Sequence, residues 1–169
     1  GHGQQRDRQQ RHGQQRHGQQ RDGQQRHGQQ RERWVKAVVL VGGFGTRLRP
    51  LTFTTPKQML PIIHRPMIEH VLEHLSEHGI DEAVLSMGYR PDAFADAYPD
   101  GMCGGVALHY AIEPEPLDTA GAIRFAALHA GIDERFVVVN GDVLTDLDIR
   151  ALVAFHDAHG GEGTIALHQ

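Results

Sequence analysis

Before Trp34 the chain contains no aliphatic and no aromatic side chain, and this absence divides the sequence in two. Residues 2–31 are six five-residue units, HGQQR or DGQQR with DRQQR as the second. A segment with no apolar area to bury cannot offset the entropy of ordering, so disorder is expected over 1–33. A period of five fits neither helix nor strand, and stacked repeats need apolar positions in every unit. Eight arginines against Asp7, Asp22 and Glu32 make this part net +5, whereas the remaining 9 basic and 18 acidic residues make 34–169 net −9. Such a cationic arm suits nucleic acid or an anionic surface, but without aromatic residues to stack on bases a nucleic-acid partner is disfavoured. Translated repetitive DNA or a misplaced start is the other reading of the repeat.

Further absences narrow the class. Cys103 is the single cysteine, so no internal disulfide can form, which fits a reducing cytoplasm. Its place beside a glycine-rich turn suggests a free thiol rather than a catalytic one. No apolar run is long enough for a signal peptide or a membrane span.

From Trp34 onward, apolar runs alternate with helical patterns. Val35–Val41 is nearly continuous and β-branched, as in a strand buried on both faces. Met67, Ile68, Val71, Leu72 and Leu75 form one stripe, opened by Pro66 and stopped by Gly79. Strands are then expected at 82–88, 106–112 and 135–142, and helices at 91–98, 119–131 (from an N-cap at Thr119) and 148–160. A last strand is expected to begin at 163–168. The alternation implies an α/β fold with a doubly wound, mostly parallel, Rossmann-like sheet and a ligand at the carboxyl ends of its strands. A chain that stops at Gln169 just inside a strand is expected to be a fragment, with an unpaired sheet edge prone to aggregation.

The segment VGGFGTRLRPLTFTTPKQMLP, Val41–Pro61, follows the first strand and has no acid. Gly42, Gly43 and Gly45 let backbone N–H groups approach an anion and permit positive φ. Arg47 and Lys57 add full charges, and together these residues describe a polyphosphate cradle. It is not a dinucleotide fingerprint, because the third glycine would fall on Leu48, and no lysine follows closely enough for a Walker loop. A kinase or GTPase is therefore disfavoured.

GGFGTRLRPLT, PKQMLPI and RPMIEHVLEHL together resemble the amino-terminal signature of the sugar-phosphate nucleotidyltransferases (NDP-sugar pyrophosphorylases). The resemblance runs from Val35 to the end of the chain. EPEPLDTAGAIR and VNGDVLTDLDI are most similar to the mannose-1-phosphate guanylyltransferases within that family. The resemblance implies that residues 34–169 are the amino-terminal part of a catalytic domain. It also implies that a nucleoside triphosphate reacts with a sugar 1-phosphate to give a nucleotide sugar and pyrophosphate. The partners are those two substrates, GTP and mannose 1-phosphate by the closer likeness, with no membrane and with homo-oligomerisation left open.

In-line attack on the α-phosphorus asks the protein to position two anions and neutralise charge. Arg47 suits the departing pyrophosphate and Lys57 the α-phosphate or the incoming sugar phosphate, with Arg49 a weaker candidate. Two phosphates meeting in one site call for Mg²⁺, and Asp142, after the strand FVVVNG, is the candidate ligand. Asp146 and Asp148 are expected to serve the start of the next helix. In the family a second metal-binding aspartate and the sugar-binding residues come from later positions. Leu40, Gly42, Gly43, Gly45 and Thr46 complete the nucleotide cradle. Glu113 stands where thymidylyl-transferring members have glutamine. A carboxylate only accepts, and guanine presents adjacent N1–H and N2 amino donors, so Glu113 favours guanine. Gly121 would let the base lie against backbone. Gln58 points the other way, towards the thymidylyl and uridylyl branches that use glucose 1-phosphate. A relative that binds nucleotide without turnover is the third reading. His70, His74 and His78 share one helical face and could bind a transition metal, but each follows a glutamate, which favours a solvated face.

Overall fold

The computed structural model describes residues 35–43, 45–88 and 91–167. The repeat at 1–33, expected to be disordered, lies outside the described residues.

Strand β1, Lys36–Leu40, is followed by 3-10 turns at Thr46–Leu48 and Lys57–Met59. A hairpin of β2 (Pro61–Ile62) and β3 (Arg65–Pro66) then leads into helix α1, Met67–Glu77. The remainder alternates as β4 (Glu82–Met87), α2 (Pro91–Ala97), β5 (Met102–Cys103), β6 (Val106–Ile112), α3 (Asp118–His129), β7 (Phe136–Asn140) and α4 (Ile149–His159). The main sheet has the order β5-β6-β4-β1-β7, with β6, β4, β1 and β7 parallel and β5 antiparallel at the β6 edge. The expected α/β, mostly parallel sheet is therefore present. The two-residue strands β2, β3 and β5 are too short to leave a periodic signal in the sequence.

Strand order gives the sheet its ligand edge. The chain steps from β1 to β4 to β6 in one direction, and β7 then returns to the opposite side of β1. Connections therefore diverge at the carboxyl ends of β1 and β7, the switch point where doubly wound sheets hold ligands.

Alternation along β1 assigns the two cores. Ala37 and Val39 face a cluster with Ile68, Leu72 and Leu75 of α1, Phe94 of α2 and Ile149 of α4. Val38 faces Val84, Ala111 and Ala126 of α3 on the other side. A strand buried on both faces must be apolar throughout, which is why Lys36–Leu40 shows no polar alternation. Tyr98 Oη donates to Glu69 Oε1 (3.2 Å), tying the end of α2 to α1.

Several local expectations change. No strand forms at 163–167, where Ile165 and Leu167 are 82% and 88% exposed. A strand persists only where a neighbour takes its backbone hydrogen bonds. Thr164 instead meets His156 of α4, with Oγ1 and Nδ1 2.9 Å apart. Helix α3 begins at Asp118, not from an N-cap at Thr119; its N-cap residue is Leu117, with no side-chain cap. Asp118 enters the helix at φ +55°, and this left-handed turn displaces Thr119 from the capping position. Asp148 does cap α4, its Oδ1 accepting from the Ala151 N–H at 2.9 Å. The histidines of α1 are half-buried rather than solvated. His70 lies 3.1 Å from the Ile62 carbonyl and His74 2.9 Å from the Leu147 carbonyl, so they join α1 to its neighbours. Among the described residues, no group of three or more His, Cys, Asp or Glu could hold a metal ion, and no helix is long and apolar enough to cross a membrane.

Among the described residues β7 pairs only with β1. Val138 on its α3-side face is 40% exposed, in register with the fully buried Val38. A bare parallel edge with an uncovered apolar face promotes association. Val138→Lys is expected to lower light scattering at equal concentration without changing the circular dichroism; unchanged scattering would place the adhesive surface elsewhere. Burial pushes the Cys103 thiol up to about 11. Cys103 is therefore expected to alkylate about 100-fold more slowly at pH ~8 in the folded chain than in urea, as its smaller thiolate fraction requires. Equal rates by mass spectrometry would contradict that environment.

Candidate active site

Hydrogen bonds beyond the strand ends draw four segments to one edge of the sheet. The Val41 N–H donates to the Ser86 carbonyl (3.0 Å), the Glu113 N–H to the Met87 carbonyl (2.8 Å) and the Gly141 N–H to the Leu40 carbonyl (2.9 Å). Gly42, Gly88, Glu113 and Asp142 thus gather from four strands that are far apart in the chain.

The glycine-rich loop is closed from below. Thr52, only 3% exposed, donates its hydroxyl to the Gly45 carbonyl at 2.7 Å. Gly45 has φ +58°, and a Cβ there would come within 3.0 Å of Thr52 Cγ2 and 3.3 Å of Lys57 Cβ. Glycine is required at this position both for its conformation and for its lack of volume.

Gly42 and Gly43, adjacent in sequence, border different groups. A Cβ on Gly43 would lie 3.5 Å from Lys57 Nζ, whereas one on Gly42 would lie 3.4 Å from Glu113 Oε1. Lys57 Nζ in turn donates to Asp142 Oδ2, a contact between residues 85 positions apart. The loop therefore borders a cation–carboxylate pair through Gly43 and a separate carboxylate through Gly42. Lys57 and Asp142 are both partly accessible, with side chains 22% and 33% exposed.

Glu113 is held on both oxygens. Ser86 Oγ donates to Oε1 (3.1 Å) and the Leu117 N–H donates to Oε2 (3.2 Å). The carboxylate thereby takes up a backbone donor at the entrance to α3, a role Thr119 does not fill.

Other expected residues lie apart from these two groups. Thr46 and Arg47 are exposed on the first 3-10 turn. The guanidinium of Arg49 sits 5.4 Å from the centre of the Phe53 ring, a cation–π arrangement. Leu40 packs at the margin of the α3-side core while its carbonyl receives Gly141. Gly121 lies within α3, where a Cβ would come 2.8 Å from Leu117 Cβ; close packing inside the helix accounts for this glycine. Gln58 is buried, 1% exposed, on the second 3-10 turn.

Thr52, Ser86, Gly88 and Gly141 were not singled out from sequence. Ser86 had a signal, as the one hydroxyl in the apolar run Ala83–Met87. Gly141 had a weaker one, a glycine between a β-branched strand and an aspartate.

Comparison with known proteins agrees with this architecture. The family model described as "Nucleotidyl transferase" matches residues 36–169. The mannose-1-phosphate guanyltransferase of Aspergillus oryzae is 44% identical over 137 residues, which are 79% of this chain and 37% of that protein. The probable mannose-1-phosphate guanylyltransferase 2 of Oryza sativa subsp. japonica is 43% identical over 136 residues, 78% of this chain and 37% of that protein. The chain thus spans a little over a third of the length of these curated relatives. Among solved structures, HddC from Yersinia pseudotuberculosis complexed with GMP-PN has a TM-score of 0.64 and 32% identity, covering 72% of this chain and 54% of that one. A putative glucose-1-phosphate thymidylyltransferase from Bacillus anthracis has a TM-score of 0.67 and 28% identity, covering 75% and 51%.

Gly141 sets the position of Asp142. A Cβ there would come within 2.6 Å of Val41 Cγ1, 3.2 Å of the Leu40 carbonyl oxygen and 3.3 Å of Ile68 Cδ1. Neither the strand backbone nor the buried core can yield cheaply, so Gly141→Ala is expected to destabilise the fold by about 1–3 kcal/mol, as overpacking does. Urea denaturation measures this; an unchanged midpoint would show that β7 does not press against β1 as described.

Proposed function

We infer that this chain, which belongs to the nucleotidyl transferase family, acts in transferring a guanylyl group from GTP to mannose 1-phosphate with release of pyrophosphate. The names of its relatives support this substrate pair. The observation that carries the reading is the separation along Gly42–Gly43 of the Lys57–Asp142 pair from the Glu113 carboxylate. One end suits phosphate and metal chemistry, and the other suits a base that presents donors.

A sugar-phosphate oxygen attacks the α-phosphorus while the bond from that phosphorus to the oxygen bridging the α- and β-phosphates breaks. The electron pair leaves with pyrophosphate. Lys57 neutralises the α-phosphate or the incoming sugar phosphate, and Arg47 the pyrophosphate whose charge grows during the step. Gly42, Gly43, Gly45 and Thr46 offer backbone to the phosphates, and Leu40 borders the nucleotide.

A divalent cation, Mg²⁺ in this reading, fits one protein ligand better than a protein cage. Asp142 is the accessible carboxylate at the end of β7, and Mg²⁺ is commonly held by one or two carboxylates plus substrate phosphates. The ion would neutralise phosphate charge there. Lys57 and Asp142 satisfy each other without substrate, so a cation at Asp142 leaves the ammonium to the phosphates. Glu113 accepts from the guanine edge. In this reading the protein works in the cytoplasm on small, diffusible substrates.

The test is pyrophosphate release by the full chain with Mg²⁺ across GTP, UTP, dTTP, ATP and CTP, each with mannose or glucose 1-phosphate. Release is expected with GTP and mannose 1-phosphate, and Lys57→Ala should lower it about 10²–10³-fold, the scale of losing one charge-stabilising donor. Release that prefers another pair would overturn the assignment, and folded protein that releases nothing with any pair would favour instead a chain that binds nucleotide without turnover.

A further inference from the structure

Strand β4 buries Ala83, Val84, Leu85 and Met87, and between them it buries Ser86, which is 0% exposed. A hydroxyl in such a place costs stability unless it is hydrogen-bonded, so its partner is informative. Ser86 has two acceptors within reach, Glu113 Oε1 at 3.1 Å and the Ala122 carbonyl at 3.4 Å. It has only one proton, and the nearer, charged oxygen is the stronger acceptor.

Register explains why the two side chains meet. Ser86 pairs with Ala111 of β6, and Glu113 lies two residues beyond Ala111, on the same face of the sheet. That face is covered by α3, whose entrance supplies the second donor, the Leu117 N–H on Oε2 at 3.2 Å. Each carboxylate oxygen therefore receives one protein donor and retains acceptor capacity. Gly42 and Gly88 border this carboxylate with no side chain to screen it; a Cβ on either would lie 3.4 Å from Oε1 and 3.9 Å from Oε2 respectively.

We propose that Ser86 is a positioning residue for guanine selection: its buried hydroxyl fixes the rotation of the Glu113 carboxylate so that both oxygens accept at once from the N1–H and N2 amino groups of guanine. This rests on the guanylyl reading above and adds the residue that makes the recognition bidentate. With only the Leu117 donor the carboxylate can turn about its terminal bond, which is broad and weakly restrained. One oxygen then still meets N1–H, and the contact to the N2 amino group is lost first. Selection against hypoxanthine, which lacks that amino group, should depend on Ser86 more than affinity for N1–H does.

The experiment measures GTP and ITP affinities by titration calorimetry on the full chain and its Ser86→Ala, Ser86→Thr and Glu113→Ala variants. The parent is expected to favour GTP, and Glu113→Ala to bind the two alike. Ser86→Ala should shrink the GTP-to-ITP ratio by a factor of about 5–10, on the order of one ordinary hydrogen bond. Ser86→Thr, which keeps the hydroxyl, should restore it. If Glu113→Ala abolishes the preference while Ser86→Ala retains it in full, the positioning role is overturned and the guanylyl reading stands, even if Ser86→Ala melts earlier. If the parent does not prefer GTP, the reading of Glu113 fails and the role of Ser86 fails with it.

Discussion

The contact between β1 and β7 is the constraint on which the site depends. Five residues of β1 pair in parallel register with five of β7, and the ladder continues as the Gly141 N–H reaches the Leu40 carbonyl. At that point the two backbones and Val41 leave no volume for a side chain on residue 141. A glycine there lets β7 end against β1, so that the next residue, Asp142, emerges beside Lys57. The same β1 pairs with β4 on its other edge, and the Val41 N–H meets the Ser86 carbonyl. Both halves of the site are thus referred to one central strand. A shift in the β1 register would misalign the Lys57–Asp142 pair and the Glu113 carboxylate together.

Charge is distributed along this edge with some economy. The only lysine between Val41 and Pro61 is held by the aspartate at the end of β7, which keeps two partly buried charges compensated. Glu113, by contrast, takes neutral donors, a hydroxyl and a backbone N–H. A carboxylate held by neutral donors keeps its full charge for a ligand. Adjacent glycines border the two groups, so a nucleotide lying along the loop would meet carboxylate at one end and ammonium at the other.

Much of this was legible in the chain. The β-branched run at 35–41, the stripe from Met67 to Leu75 and the alternation that follows belong to elements that bury apolar faces, and burial writes a period into sequence. Gly42, Gly43, Glu113 and Asp142 stand out in the chain because each lies within a few residues of the end of such a run, and Lys57 because it is the only lysine between Val41 and Pro61. His70 and His74 misled because their partners are backbone carbonyls of other segments, which have no side-chain signature. Thr119 misled for a related reason. A threonine before a helical pattern resembles a cap, but the left-handed Asp118 and the reach of Glu113 to the Leu117 N–H decide how α3 begins. The strand expected at 163–168 failed because apolar residues indicate that a segment can pair, not that a neighbour is there.

By itself the sequence determined the fold class and the residue types of the glycine-rich loop, because local apolar periodicity and glycine-rich turns act within a few residues of chain. Only the tertiary structure decided which of those residues meet. The Lys57–Asp142 pair spans 85 positions and the Ser86–Glu113 contact 27. Gly141 is explained only by the strand that presses on it. These contacts follow from strand order and register, which arise when the whole sheet closes and which no local stretch of sequence can specify.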